Sequence, residues 1–268
     1  MHGVRKTYET ASGAYLALDG IDLSIGRGEF FCLLGPSGCG KSTLLSLLAG
    51  FEQPTQGRLH FDGTPISGAG RERVVLFQDA NSALLPWLSV EENIRFALRL
   101  RRVARGQWDA ITTQVLTMVD LDAHRTKFPS QLSGGMRQRL QIARGLAVDP
   151  AVLLMDEPFA ALDALTRRRM HTVLLDIWQR TGKTIVFVTH DIAEAVLLAD
   201  RIGILSVGPA SKLYRVIDIE QPRPRNLTAP EIAARVSEIE GLLAPEVERA
   251  EARAGETAGG TAQASSHA

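Results

Sequence analysis

The stretch from Gly35 to Thr43, GPSGCGKST, constrains this chain more than any other. It fits the pattern G-x-x-x-x-G-K-[ST], with Gly35, Gly40, Lys41 and Ser42 at the fixed positions. A triphosphate needs backbone N–H donors at close range, and Gly35, Gly38 and Gly40 let the chain turn with no Cβ in the way. Lys41 is then placed to reach the β- and γ-phosphates and Ser42 to hold Mg²⁺ through its hydroxyl. The helix that follows points its positive end at the anion. The flanks agree: FFCLL at 30–34 predicts a buried strand, and TLLSLLAG at 43–50 a buried helix stopped by Gly50.

Thirty basic residues balance thirty acidic ones, so no overall field drives the chain onto nucleic acid or anionic lipid. Its apolar runs fall well short of the roughly 20 residues that span a bilayer, and the N-terminus has no basic-then-apolar signal design. A soluble, cytoplasmic protein is expected, with any membrane association made through another protein. Cys32 and Cys39, one in the core strand and one inside the loop, form no disulfide framework.

Around the loop, LALDGIDLSIGRGEF alternates as a half-buried strand, GRLHFDG at 57–63 reads as a short strand, and VVLF at 74–77 as a buried strand that delivers Gln78. Gln78 is either a Mg²⁺ and water ligand or a loop cap, and Tyr8 either an adenine-stacking aromatic or a plain edge-strand residue. Ser89 and Glu92 predict a capping box opening a helix, and a second helix is expected at about Trp108 to Val119. The strand-free span from about 86 to 149 therefore reads as a helical insertion in an α/β domain. It ends in LSGGMRQRLQIARGLA, where Ser133, Gly134 and Gly135 form either a second phosphate site or an ordinary capped helix start.

AVLLMDEP at 151–158 is an apolar strand ending in Asp156 and Glu157. Side chains alternate along a strand, so the two carboxylates take different jobs: Asp156 suits Mg²⁺, Glu157 the attacking water. Asp163 opens a helix, and the strand KTIVFVT ends at His190, which is either structural or a γ-phosphate partner. One short helix and a low-complexity, disordered tail are expected beyond about residue 226.

With Gln78, LSGGM (132–136), LLMDEP (153–158), ALD (161–163) and His190 in order after the loop, the chain resembles the nucleotide-binding subunit of an ABC transporter over roughly residues 4–225. LLPW (84–87), MDEPFAALDALTR (155–167) and VTHDIAEAVLLADR (188–201) are most similar to the importer ATPases for nitrate, sulfonate, taurine and like small ions. The resemblance implies a P-loop NTPase (RecA-like) core with an N-terminal antiparallel β subdomain and an inserted α-helical subdomain, filling residues 1–225, with 226–268 as helix and tail. It implies ATP and Mg²⁺ as ligands, and a head-to-tail homodimer in which each ATP lies between one copy's loop (Gly35, Pro36, Ser37, Gly38, Cys39, Gly40, Lys41, Ser42, Thr43) and the other's Ser133, Gly134 and Gly135. Tyr8 is then the adenine-stacking aromatic, Asp163 a dimer contact, and Ser42, Gln78 and Asp156 the Mg²⁺ ligands. Glu157 becomes the general base and His190 the γ-phosphate switch, acting with Lys41 and Gln78. The implied partners are a membrane permease at the cytoplasmic face of the inner membrane and, through it, a solute-binding protein, with no nucleic acid. The alternative is a soluble, non-transport ABC-type ATPase.

Three departures from the family pattern stand out. The first strand is expected to be short. The sequence DANSA after Gln78 is about two residues longer than the pattern, in a loop that borders the family's docking groove. The tail after residue 225 is shorter than the extra regulatory domain that some sugar importers carry, so no such regulation in cis is expected.

Overall fold

A computed structural model describes residues 1–11 and 13–264, with residues 251 and 253–264 described by backbone alone. Along the chain the strands are β1 (His2–Thr10), β2 (Gly13–Ile21), β3 (Phe30–Leu34), β4 (Gln56–Arg58), β5 (His60–Phe61), β6 (Thr64–Pro65), β7 (Arg73–Leu76), β8 (Val152–Asp156), β9 (Thr184–Val188), β10 (Arg201–Leu205) and β11 (Leu213–Asp218). The helices are α1 (Lys41–Ala49), α2 (Ala80–Ala83), α3 (Val90–Leu100), α4 (Trp108–Met118), α5 (Gly134–Leu146), α6 (Ala164–Thr181), α7 (Ile192–Leu198) and α8 (Pro230–Ala264). The chain divides into two compact units, Met1–Ile25 with Phe31–Ser67 and Thr189–Ala268, and Gly26–Phe30 with Gly68–Val188.

In the first unit β1 pairs antiparallel with β2, Tyr8 opposite Tyr15, and with β4. The first strand is thus nine residues long, not short as expected, because β2 pairs with it from Val4 to Thr10 and β4 pairs with it at His2. β3 pairs in parallel with β10, with Cys32 beside Ile202, and β10 turns back antiparallel into β11. All five residues of β3 are buried, the pattern of a strand covered on both faces. GRLHFDG makes two short strands, β4 and β5, rather than one.

The tail helix is longer than the short one expected, since α8 runs to Ala264. Ile232, Ile239 and Leu243 are buried, and the buried Glu246 carboxylate accepts the Val207 N–H at 2.7 Å. The remainder of the low-complexity end, 265–268, lies outside the described residues.

In the second unit β7, β8 and β9 run parallel, Leu76 beside Met155 and Asp156 beside Val188. Its core gathers aromatics: Phe30 meets Trp178 edge-on at 6.0 Å, and Phe187 lies 5.6 Å from Phe159. Each such ring contributes about 1.5–3 kcal/mol by leaving water. The span 86–149 carries α3, α4 and α5 and no strand among the described residues. The predicted capping box forms, Ser89 accepting from Glu92 N–H at 3.3 Å and Glu92 from Ser89 N–H at 2.8 Å. Asn93, fully buried, donates to the Leu85, Leu88 and Ser89 carbonyls and accepts from Leu85 N–H, which fixes the LLPW turn.

Candidate functional site

The first unit carries the phosphate loop. Gly38 (φ 73°) and Gly40 (φ 89°) both hold left-handed backbone, and Gly40 turns the chain directly into α1. A Cβ at Gly40 would stand 2.8 Å from Leu18 Cδ2, and one at Gly35 2.6 Å from Cys39 Sγ, so neither position has room for a side chain. No side chain caps α1 and no acid sits in its first turn, leaving the helix's first N–H groups and its positive end open to an anion. Lys41 is buried, and its ammonium donates to the Gly35 carbonyl at 2.7 Å and the Pro36 carbonyl at 3.0 Å. It therefore points into the ring of the loop. Ser37, Gly38 and Ser42 are exposed, while Cys39 is buried and its thiol is pushed up by that burial. The loop thus offers a ligand the backbone of Cys39, its thiol being packed behind Gly35.

Tyr8 reaches this loop's helix, its hydroxyl 3.5 Å from Thr43 Oγ1, and the Lys6 ammonium lies 4.8 Å from its ring centre. His190 is exposed one residue past Thr189, whose N–H donates to Leu33 O in the strand that feeds the loop. That turn is pinned by groups that no motif advertised. Thr189 Oγ1 donates to the buried Glu194 carboxylate at 2.5 Å and accepts from Asp191 N–H at 3.0 Å, and Asp191 caps α7 through Glu194 N–H. The spacing of Asp191 and Glu194, that of a helix N-cap and its third residue, was the available signal.

The second unit carries the carboxylates, Gln78 and Ser133. β8 ends at Asp156, and Glu157 follows with φ 42°, left-handed backbone in a residue with a side chain, its N–H bonded to Val188 O at 3.0 Å. Such a conformation costs about 1–3 kcal/mol and persists where surrounding contacts hold it, most often at functional positions. It turns Glu157 away from the direction strand alternation alone would give. Gln78 is exposed in the bend past β7, and the carbonyl of the preceding Phe77 accepts from Gln141 of α5 at 3.1 Å. DANSA forms α2, N-capped by Asp79, where sequence reading expected a loop.

Ser133 caps α5, accepting from Met136 N–H at 3.3 Å, and Asp163 caps α6, accepting from Leu165 and Thr166 N–H. Hydrogen bonds from Thr166, side chain first and then backbone, hold the Asp163 carboxyl below its ordinary range. The two helix starts lie side by side: a Cβ on Gly134 would be 3.6 Å from Leu162 Cδ2, and one on Gly135 only 2.4 Å from Thr166 Cγ2. Gly135 is buried and is a packing glycine within this chain, whereas Ser133 and Gly134 are exposed.

The donors suit the expected ligands. A loop of close backbone amides with an inward lysine fits phosphate, and the hydroxyl of Ser42 and carboxylate of Asp156 are hard oxygens of the kind Mg²⁺ takes. Among the described residues no cluster of three or more His, Cys, Asp or Glu could hold a metal ion by itself.

The family model described as ABC transporter matches residues 18–160. The nitrate import ATP-binding protein NrtD of Synechococcus elongatus is 45% identical over 228 residues, 84% of this chain and 82% of its own. The taurine import ATP-binding protein TauB of Burkholderia pseudomallei is 52% identical over 212 residues, 79% and 81% of the two chains. This chain belongs to the ABC transporter family. Among solved ABC cassettes, a dimeric ATP-binding cassette in a post-hydrolysis state bound to ADP and Pi matches with a TM-score of 0.69 and 31% identity, covering 82% of this chain and 98% of that one. The fold is accordingly the α/β P-loop NTPase core. The ABC transporter match takes in the phosphate loop, Gln78, Ser133 to Gly135 and both carboxylates, while Tyr8, Asp163 and His190 lie outside it.

Proposed function

We propose that this chain is the ATP-hydrolysing subunit of an importer, coupling ATP binding and hydrolysis to uptake of a small anion or organic ion, such as nitrate, a sulfonate or taurine, through a membrane permease. The observation that carries the reading is the phosphate loop, with its inward Lys41 and uncapped α1, in a chain about half identical to nitrate and taurine import proteins. Lys41, the loop amides from Gly35 to Thr43 and the start of α1 bind the triphosphate, and Tyr8 faces the base. Ser42, Gln78 and Asp156 are the side chains that would hold Mg²⁺, which would supply charge neutralisation at the phosphates. Glu157 accepts a proton from the attacking water and orients it for in-line attack, and His190 contacts the γ-phosphate. Rate enhancement then comes from positioning and fixed charge rather than from covalent chemistry on the protein.

Ser133, Gly134 and the α5 start serve the nucleotide of a second copy, packed head to tail, with Asp163 at that contact. The dimeric state of the related solved cassette supports this arrangement. No described helix is long and apolar enough to cross a membrane. Contact with the bilayer therefore runs through the permease at the cytoplasmic face, with a solute-binding protein beyond it. The exposed aromatics Phe77 and Trp87 in the second unit supply apolar surface for that permease. Reconstitution with the permease that co-purifies with this chain tests the reading: ATP-dependent uptake of nitrate or taurine supports it, and ATP hydrolysis with no dependence on any permease counts against it.

A further inference from the structure

The second unit holds a cleft of about 170 Å³ between β7, α3 and α5. Val74, Leu76 and Leu100 give it apolar walls, and Arg101, Gln141 and Arg144 its polar ones, with no acidic residue in the lining. Gly145 lets α5 lie against the strand, since a Cβ there would stand 3.0 Å from Leu76 Cδ2.

The two arginines are anomalous. The other partly buried arginines of this unit have acceptors, among them Arg95 with Glu91 and Asp109, Arg125 with Asp122, Arg139 with Asp120, and Arg137, which donates to the Leu132 carbonyl. Arg144 and Arg101 are both partly buried, yet among the described residues neither guanidinium donates a hydrogen bond or joins an ion pair. Position in the last turn of α5 gives Arg144 some help from the helix dipole but fills none of its donors. Burial pushes the Arg144 guanidinium below its ordinary value, and no acid opposes the shift. Guanidinium donors that meet no acceptor among the described residues are open to an anion entering the cleft.

We propose that the cleft between β7, α3 and α5 is a binding site for a small planar oxyanion, a carboxylate, bicarbonate or nitrate, gripped by Arg144 and Arg101. Planar guanidinium forks match such anions two bonds at a time, and the apolar walls accept a short aliphatic group beside the charge. Gln141 extends the site's reach. Its amide lines the cleft while donating to the carbonyl of Phe77, one residue before Gln78, and accepting from Gln138. The site does not depend on the importer reading.

The test uses the full chain with its phosphate loop filled by Mg·ADP, so that anion binding there does not count. Acetate, bicarbonate and nitrate are titrated against chloride at constant ionic strength, followed by calorimetry and by the rise in melting temperature. Saturable binding of at least one of them at a single site is expected, weakened about tenfold or more in Arg144→Gln and less in Arg144→Lys, with ADP affinity unchanged. Arg101→Gln gives a second variant on a different helix should the first fold poorly. No saturable binding up to about 100 mM, or equal binding in both glutamine variants, overturns the proposal. So does protection of Arg144 from phenylglyoxal only when a membrane partner is bound, since the occupant would then be that partner's carboxylate.

Discussion

Replacing Gly135 by alanine separates two reasons for a glycine at the start of α5, room for a neighbouring helix and room for a ligand. The added Cβ would lie 2.4 Å from Thr166 Cγ2, against an ordinary carbon contact of about 3.5–4.0 Å. Either α5 and α6 part by about an ångström or Thr166 leaves its rotamer, and β-branching makes the second route stiff. Overpacking of this kind costs about 1–3 kcal/mol, offset by up to about 1 kcal/mol of helix propensity gained over glycine. The net expectation is a loss of about 1–2 kcal/mol, a fall in melting temperature of about 2–8 °C for a domain of this size. Thr166→Ser removes the offending methyl and keeps the hydroxyl that serves Asp163, so the double variant should recover most of the loss in urea and thermal melts. An unchanged midpoint for Gly135→Ala, or a double variant no more stable than the single, would refute the packing argument.

Three other outcomes are expected. Glu157→Gln should bind ATP as the wild type does while hydrolysis nearly stops and an ATP-held dimer accumulates; hydrolysis at the wild-type rate would put the base elsewhere. Cys39 is buried with its thiol pushed up, so iodoacetamide should label the native chain far more slowly than the denatured one, and rapid native labelling at neutral pH would contradict its placement behind Gly35. The Asp163 carboxyl is depressed in the folded chain, so its stabilisation of α6 is fully present above its ordinary, unfolded value and fades as pH falls through the lower folded value. Asp163→Asn should flatten that acid limb of the stability profile, and an unaltered limb would assign it to other groups.

Local signals carried much of the fold. The strand, glycine loop and helix around Lys41 stand where periodicity and the glycines put them, and the Ser89 and Glu92 box opens α3 as its spacing predicts. What escaped depends on pairings and side-chain bonds that no motif names. The pairing of β1 with β2 and with β4 extends a strand expected to be short, and DANSA becomes α2 because Asp79 caps it. Glu194 behind Thr189, Asn93 under the LLPW turn and Gln141 on Phe77 are polar side chains inside apolar stretches, and nothing local shows which carbonyl or hydroxyl each will find. Gly135 was legible as a glycine at a helix start, but the Thr166 methyl that requires it belongs to a different helix. The left-handed backbone of Glu157 has no sequence mark at all.

The most direct test of the account is to tag the chain, extract membranes in mild detergent, and measure what co-purifies together with the ATPase rate of the recovered complex. The account predicts a polytopic membrane protein in the complex and multiple-turnover hydrolysis abolished by Glu157→Gln. Recovery of the chain alone, soluble and still binding ATP, would contradict the importer assignment and turn attention to a non-transport ATPase.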